Sequence, residues 1–216
     1  MCMDYLNVSH NISILNTAFD SFHIDIMDGH FCKSIHLSPD YVKDIRKVTE
    51  LPIVVHLMVE EPFDYIESLV SYGADTIIVH IESTQKNIFR IINYLHTSGK
   101  KVGVAICPSS PIECLTNVLG CVDLVSILSV DPGFIGQPLI PAVLDKIKKT
   151  SRIKEKNNYS FTIQSDGGVT SSTYSELIKA GTEDFVLGKA ALFGKNQDLE
   201  KAIEEMRRDF SNAISK

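Results

Sequence analysis

The sequence predicts an α/β protein with a (β/α)8 TIM-barrel fold, and three observations support that prediction. Strand-like and helix-like segments alternate along all 216 residues, as they do in the βα repeats of such a barrel. Polar residues gather where the strand-like segments end, and in this fold the active site forms at the carboxyl ends of the strands. The alternative, an open doubly wound sheet, calls for a glycine-rich turn after the first strand, and the sequence has none there.

The elements are recognised from local patterns, taken in chain order. Residues 5–19 are helix-like, and residues 22–27 alternate apolar and polar side chains with the period of a strand that Gly29 ends. A helix over residues 39–49 is expected next, because Ser38 stands at the N-cap and a proline follows it at the first helical position. Further strands are expected at residues 53–59, 76–80, 101–106, 124–130, 161–168 and 184–187. Further helices are expected at residues 62–72, 85–98, 141–157, 173–180 and 199–210, with a short one near Pro111.

Composition limits the classes of function. Hydrophobic residues make up 44% of the chain and charged ones 22%, which fits one globular domain over residues 1–216. The net charge of −6 argues against a nucleic-acid partner, and no apolar run reaches the length of a membrane span. The five cysteines are odd in number and include no C-x-x-C pair, so we expect reduced thiols and a cytoplasmic protein.

Histidine and aspartate residues recur at the ends of the predicted strands. His23 and Asp25 share one face of the first strand, roughly 6.5 Å apart, so that both could reach one cation. His56 lies near the end of the second strand and Asp166 at the end of a later one. Two imidazoles and two carboxylates are a plausible ligand set for a divalent ion. Each residue alone could equally be a satisfied polar group in the core or on a solvated face, so the set as a whole carries the hypothesis.

Five ordered motifs resemble the ribulose-phosphate 3-epimerase family along essentially the whole chain. They are H-I-D-I-M-D-G-H-F from residue 23, V-H-L-M-V from residue 55, S-V-D-P-G-F-I-G-Q from residue 129, S-D-G-G from residue 165 and V-L-G-K-A from residue 186. The resemblance implies a barrel of the ribulose-phosphate-binding type and an isomerase that inverts C3 of a ketose phosphate through an enediolate. The segments L-S-P and P-G-F-I-G-Q-P-L-I-P, from residues 37 and 132, resemble the D-allulose-6-phosphate 3-epimerase branch more closely.

The same resemblance implies roles for individual residues. One divalent metal ion (zinc, iron, manganese or cobalt) would be bound by His23, Asp25, His56 and Asp166. Asp25 and Asp166 would also be the catalytic pair, one removing the C3 proton and the other delivering a proton to the opposite face. The substrate-binding walls and the phosphate-binding backbone would be formed by Met27, Met58, Gly136, Gly167, Gly168, Gly188 and Lys189.

Some positions depart from the family pattern. Leu128 stands where many members have a third methionine, Ile135 adds bulk to the loop beside the expected phosphate site, and Lys189 replaces a serine or threonine. Family members also carry residues ahead of the position of Met1, which form the first strand and include a serine that contacts substrate. We therefore expect the first strand to be largely missing and the barrel to be imperfectly closed.

Our interpretation is a cytoplasmic, metal-dependent ketose-phosphate 3-epimerase that binds a small-molecule substrate and forms a homo-oligomer. It would interconvert D-allulose 6-phosphate and D-fructose 6-phosphate, or D-ribulose 5-phosphate and D-xylulose 5-phosphate. The alternatives are a non-catalytic sugar-phosphate-binding paralogue with a truncated barrel and a metal-free phosphosugar isomerase. The second alternative gives His23 and His56 no function. Beside the motifs, we expect structural hydrogen bonds at Asp28 and His30 and a core or supporting role for His80.

Overall fold

The computed structural model describes residues 2–215, and its centre is an eight-stranded, mostly parallel sheet. β1 (Phe22–Asp28) is the second strand from one end of the sheet, and β8 (Asp184–Phe185) forms the opposite end. The sheet curls into a partial barrel, so that residues of β1 and β8 line one cavity. The other strands are β2 (Ile35–His36), β3 (Ile53–Met58), β4 (Thr76–His80), β5 (Lys101–Ile106), β6 (Leu124–Leu128) and β7 (Thr162–Asp166).

Helices alternate with these strands and pack on the outer face of the sheet. Two short 3-10 helices (Ile112–Leu115 and Leu119–Cys121) follow β5, and a π-helix (Lys189–Phe193) follows β8. No helix within residues 2–215 combines the length and the apolar character needed to cross a membrane. The α-helices are α1 (Val8–Leu15), α2 (Pro39–Ile45), α3 (Phe63–Ser71), α4 (Ile81–Thr84), α5 (Ile88–Thr97), α6 (Ala142–Asn157), α7 (Tyr174–Ala180) and α8 (Leu199–Ile214).

The strand order confirms the predicted barrel class. β1 and β3 to β8 run parallel to one another, whereas β2 is a two-residue strand antiparallel to β1. In the described part of the chain β8 pairs only with β7, and no strand pairing joins β8 to β1. The barrel is therefore open between β1 and β8, which agrees with the expected imperfect closure, and the cavity extends into this opening.

Alternation along β3 explains how a polar side chain comes to lie inside the barrel. All six residues of β3 are buried. Val55 and Leu57 belong to the large apolar cluster between the sheet and the helices, whereas Val54 belongs to a small cluster with Ile78 on the opposite face. Because side chains along a strand alternate between faces, His56 shares the face of Val54 and points into the barrel.

Several predicted boundaries are wrong by a few residues. The helix predicted over residues 5–19 is confined to α1, because Asp4 binds a backbone N–H ahead of the helix and the residues behind it form turns. The helix predicted over residues 85–98 corresponds to α5 alone, which begins three residues later because Asn87, with φ of −143° and ψ of 7°, is not helical. The separate short helix α4 precedes it. The last strand has two residues instead of four.

Candidate functional site

Four side chains from three strands meet inside the barrel. His23 and Asp25 come from β1, His56 from β3 and Asp166 from the last position of β7. Between the two β1 residues, Ile24 belongs to the outer apolar cluster, and alternation then turns both polar neighbours inward. One ligand atom of each of the four lies within 4.8 Å of those of the other three. The structure thus brings together the four residues that the sequence singles out as ligands.

The donor atoms of this group, which we call the interior His–Asp cluster, form a closed ring. Nε2 of His23 lies 3.3 Å from Oδ1 of Asp25 and 3.5 Å from Oδ2 of Asp166. Nδ1 of His56 lies 3.4 Å and 3.2 Å from the same two oxygens, respectively. Ligands about 2.0–2.2 Å from a divalent ion lie roughly 3–3.6 Å apart when they are neighbours around it. The spacing of the ring therefore fits one divalent ion.

Three of the four imidazole nitrogens of this cluster make no hydrogen bond in the described part of the chain. Within residues 2–215, both ring nitrogens of His23 and Nδ1 of His56 are buried without a hydrogen-bond partner. Each buried polar atom left unpaired costs about 1–3 kcal/mol, so three of them in one cluster are unfavourable unless something binds there. Two imidazoles and two carboxylates are donors that a divalent metal accepts, so the residues present fit such an ion.

The electrostatics of the interior His–Asp cluster favour a positive charge at its centre. Burial alone would lower the pKa of His56, but the carboxylates of Asp166 and Asp25 raise it to about 9. Burial would raise the pKa of Asp25, yet the imidazoles of His23 and His56 hold it well below its usual range. Both shifts come from attraction between carboxylate and cation, and a divalent ion would meet the same attraction.

A cavity of about 950 Å³ lies beside the interior His–Asp cluster and gives it access to a ligand. His23, Asp25 and Asp166 line the cavity, while His56 is fully buried behind them. Leu128 lines it too and keeps that part of the wall apolar. The predicted wall and phosphate residues also border the cavity, and these are Met27, Met58, Gly136, Gly167, Gly168, Gly188 and Lys189.

Two glycines after β7 allow the backbone to run close to its surroundings at the edge of this cavity. Gly167 and Gly168 have φ values of 86° and 62°. A Cβ on Gly167 would lie 2.4 Å from a methyl group of Val130, and a Cβ on Gly168 would lie 2.7 Å from the backbone of Leu139. Only glycine suits both the conformation and the space, and the uncovered backbone amides suit an anionic group such as a phosphate.

A second cluster lies directly behind His56, and we call its three residues, His80, Glu82 and Cys107, the His80 cluster. Nε2 of His80 is 2.9 Å from Nε2 of His56, and Nδ1 of His80 is 3.1 Å from Oε2 of Glu82. Burial lowers the pKa of His80 to about 4. Burial would raise the pKa of Glu82, but its hydrogen bonds, beginning with the one to His80, lower it to about 2. Glu82 is therefore a carboxylate and His80 a neutral imidazole.

The His80 cluster is only partly foreseen from the sequence. The structure gives His80 a supporting position against His56, in line with the core or supporting role that the sequence predicts. The sequence does not predict that Glu82 and Cys107 lie beside His80, although both stand close behind the ends of β4 and β5, where functional side chains gather in this fold.

Asp28 makes the structural hydrogen bonds that the sequence predicts. Its Oδ1 accepts the backbone N–H groups of His30 and Phe31, and its Oδ2 accepts that of Glu60. These contacts fix the turn after β1 and link it to the segment after β3. The carboxylate thereby stabilises the loop next to the interior His–Asp cluster without belonging to it.

Sequence comparisons with known proteins indicate one family. The model of the ribulose-phosphate 3 epimerase family matches residues 1–193. The ribulose-phosphate 3-epimerase of Bacillus subtilis is 41% identical over 189 residues, which cover 87% of this chain and 86% of that protein. The ribulose-phosphate 3-epimerase of Treponema pallidum is 37% identical over 177 residues, which cover 82% of this chain and 81% of that protein. The structure of a mutant tryptophan synthase alpha-subunit from Pyrococcus furiosus superimposes on this chain with a TM-score of 0.69 and covers 99% of this chain and 93% of the subunit. The two sequences are 14% identical, so the similarity indicates a shared fold alone.

Proposed function

The chain belongs to the ribulose-phosphate 3-epimerase family, and from this premise we propose that it is a ketose-phosphate 3-epimerase that depends on one divalent metal ion. The named relatives are isomerases that act on carbohydrate phosphates. The observation that carries the proposed metal dependence is the ring of donor atoms in the interior His–Asp cluster, spaced 3.2 to 3.5 Å apart. His23, Asp25, His56 and Asp166 would hold the ion.

The chemistry requires stabilisation of negative charge next to a ketone. A proton on C3 beside a C2 carbonyl is weakly acidic, and its removal delocalises negative charge from C3 onto the C2 oxygen, which together with the C3 hydroxyl presents two oxygens to a cation. A divalent cation held by the cluster supplies the positive charge that stabilises these oxygens. His23 and His56 can serve as ligands only through an unprotonated nitrogen, so acidification should remove activity.

Asp25 and Asp166 are suited to carry the two protons that an inversion needs. They reach the site from different strands, β1 and β7, and both line the cavity. One carboxylate would remove the C3 proton from one face of the substrate, and the other would deliver a proton to the opposite face. In the reverse reaction the two would exchange roles, as a reversible epimerisation requires.

The remaining wall residues would position the substrate and exclude water. Met27 and Met58 are almost fully buried and apolar, so they would limit the access of water to the deprotonated carbon. The backbone at Gly136, Gly167, Gly168 and Gly188 would hold the phosphate with its amide groups, at the position after the last two strands where this fold commonly binds one. Lys189, which is exposed at the cavity, would add a positive charge.

Two substrate pairs are proposed, and they differ by one carbon. The named relatives support D-ribulose 5-phosphate and D-xylulose 5-phosphate, whereas the segments from residues 37 and 132 support D-allulose 6-phosphate and D-fructose 6-phosphate. Five free cysteines support our further proposal of a cytoplasmic, reducing environment. We also keep the prediction of a homo-oligomer.

The test is turnover of both ketose phosphates by metal-stripped protein and by protein reloaded with zinc, iron, manganese or cobalt. We expect stripping to lower kcat/KM by at least about 10³-fold, on the scale of a lost catalytic group, and one divalent metal to restore it. The ratio of kcat/KM for the two sugars identifies the substrate. Full activity after stripping would refute the metal dependence, and no turnover of either sugar with any metal would favour the non-catalytic paralogue.

A further inference from the structure

His56 is held at both of its ring nitrogens, and the two ends face different clusters. Nδ1 faces the carboxylates of Asp25 and Asp166 at 3.4 and 3.2 Å, while Nε2 lies 2.9 Å from Nε2 of His80. The ring planes of the two histidines differ by 23°, and their centroids are 5.0 Å apart. With the nitrogens so much closer than the centroids, the rings meet edge to edge, as in a linear hydrogen bond. Both side chains are completely buried, so water cannot replace either partner.

The far end of His80 decides which nitrogen carries the proton in this bond. Its Nδ1 lies 3.1 Å from Oε2 of Glu82, and Oε1 of Glu82 accepts the backbone N–H of Cys107 at 2.8 Å. A carboxylate only accepts hydrogen bonds, so Nδ1 of His80 must donate. A neutral imidazole has one N–H, and Nε2 of His80 is then an acceptor. Nε2 of His56 must therefore carry the proton, which leaves Nδ1 of a neutral His56 as a free lone pair.

We propose that Glu82 and His80 are positioning residues that fix His56 in the tautomer whose Nδ1 can bind a divalent metal. The inference rests on the proposed function, because it assigns a task to these residues only if the interior His–Asp cluster holds a metal. Neither residue touches the metal position. Hydrogen bonds of this kind orient ligating histidines and set their tautomer in other metal sites.

The opposite proton arrangement shows why Glu82 matters. If Nε2 of His80 donated to His56, then the single proton of neutral His56 would move to Nδ1, where it would block the metal position. Nδ1 of His80 would at the same time point a lone pair at the Glu82 carboxylate. The carboxylate excludes this arrangement by repulsion between two acceptors.

The same shared hydrogen bond argues against a second metal in the His80 cluster. His80, Glu82 and Cys107 have the residue types and the spacing of a three-ligand site. A metal on Nδ1 of His80 would leave its proton on Nε2, facing His56, and would therefore disable the first site. A metal in the His80 cluster and a metal in the interior His–Asp cluster therefore exclude each other. The satisfied hydrogen bonds of the His80 cluster favour its role as a support for His56.

Glu82→Gln is the decisive variant, because it preserves size while reversing the polarity at His80. The amide oxygen would keep the bond from the Cys107 backbone, and the amide N–H would donate to Nδ1 of His80. The proton of His80 would then lie on Nε2, which favours the blocked tautomer of His56. Asp123→Asn is a matched control, since Asp123 likewise accepts a backbone N–H at 2.8 Å and a histidine nitrogen at 3.1 Å, but near the surface.

The measurements are the zinc dissociation constant, by competition with a chromogenic chelator, and the histidine ring ¹⁵N shifts of the zinc-loaded protein. We expect Glu82→Gln to weaken zinc binding about 10–100-fold and Asp123→Asn to leave it within twofold of the wild type. The thermal midpoints of the two metal-free variants should fall by similar amounts, which separates tautomer control from a general loss of structure. The ¹⁵N shifts of the wild type should show a proton on Nδ1 of His80.

If Glu82→Gln does not fold, His80→Leu should lose zinc affinity and His80→Gln should recover most of it, because an amide oxygen can accept the N–H of His56. Wild-type zinc affinity in Glu82→Gln, or in His80→Leu, would overturn the inference. Binding of two zinc ions, with one lost in Cys107→Ala, would also overturn it. Wild-type protein that binds no zinc would refute the metal centre and the inference together, whereas zinc binding without epimerisation would refute only the proposed reaction.

Discussion

The interior His–Asp cluster and the His80 cluster are neighbours built from similar residues, yet their polar atoms are paired differently. In the first, three imidazole nitrogens are buried without a hydrogen-bond partner in the described chain. In the second, both nitrogens of His80 and both oxygens of Glu82 have partners between 2.8 and 3.1 Å away. Both clusters would satisfy a search for metal ligands by residue type and distance.

The comparison indicates that hydrogen bonding, in addition to residue type, separates the proposed metal site from its neighbour. A buried group that is already hydrogen-bonded gains little from binding an ion, because binding must first break the existing bonds. The three nitrogens of the first cluster make no hydrogen bonds in the described chain, so an ion that binds there breaks none of theirs. The unpaired nitrogens of the first cluster therefore support the proposed metal site more strongly than its residue types alone.

The largest expected effect is the loss of a proton carrier in the interior His–Asp cluster. Asp25→Asn and Asp166→Asn should each lower kcat by about 10³-fold or more, since each removes a carboxylate that we propose to be both a metal ligand and an acid–base group. The assay is turnover combined with solvent deuterium incorporation at C3. Asp28→Asn is the matched carboxylate control, and it should lower stability without a comparable loss of kcat. Near-normal epimerisation by either active-site variant would contradict the two-carboxylate mechanism.

The second-largest expected effect is on zinc affinity, which should differ between variants of the two clusters. His23→Ala removes a proposed metal ligand from the interior His–Asp cluster. The loss of zinc affinity should exceed the about 10–100-fold expected when only the hydrogen-bond partner of a ligand is removed. Cys107→Ala changes a side chain of the second cluster and should leave one zinc per chain at unchanged affinity. Metal analysis after dialysis and titration with a chelator measures both quantities. Equal losses in the two variants would mean that the clusters act as one site.

The smallest effect concerns the glycines that border the cavity. Gly136 and Gly167 both have positive φ, at 84° and 86°, but a Cβ would meet nothing within 4 Å at Gly136 and a methyl group at 2.4 Å at Gly167. Gly136→Ala should therefore cost about 1 kcal/mol of unfolding free energy for the conformation alone. Gly167→Ala should cost about 1–3 kcal/mol more from overpacking. Denaturant unfolding of the metal-free variants measures the difference, and equal losses would contradict the packing argument.

The fold was predictable from the sequence because each strand and helix has a local pattern of its own. The alternation along β1 and β3 is visible in the sequence and also explains the burial of both strands. The helix ends were less predictable, since they depend on single contacts such as the bond that Asp4 accepts ahead of α1. The absence of strand pairing between β1 and β8 within residues 2–215 agrees with the expected imperfect closure.

The site was predictable only as far as its residues are recognisable one by one. The four proposed ligands and the cavity residues stand in motifs, and the structure gathers them around one cavity. The partnership of His56 with His80 depends on how two strands align: His56 pairs with Ile78 across β3 and β4, which places His80 diagonally beyond it. Glu82 is then added by the short helix α4 and Cys107 by the residue that follows β5, and the sequence has no periodic signal for either position.

The most direct test of the account is anomalous X-ray diffraction from crystals of the zinc-loaded protein. We predict one zinc peak per chain, coordinated by Nε2 of His23, Nδ1 of His56 and one oxygen each of Asp25 and Asp166 at about 2.0–2.2 Å. A peak in the His80 cluster, or a side chain among the four that points away from the metal, would contradict the account.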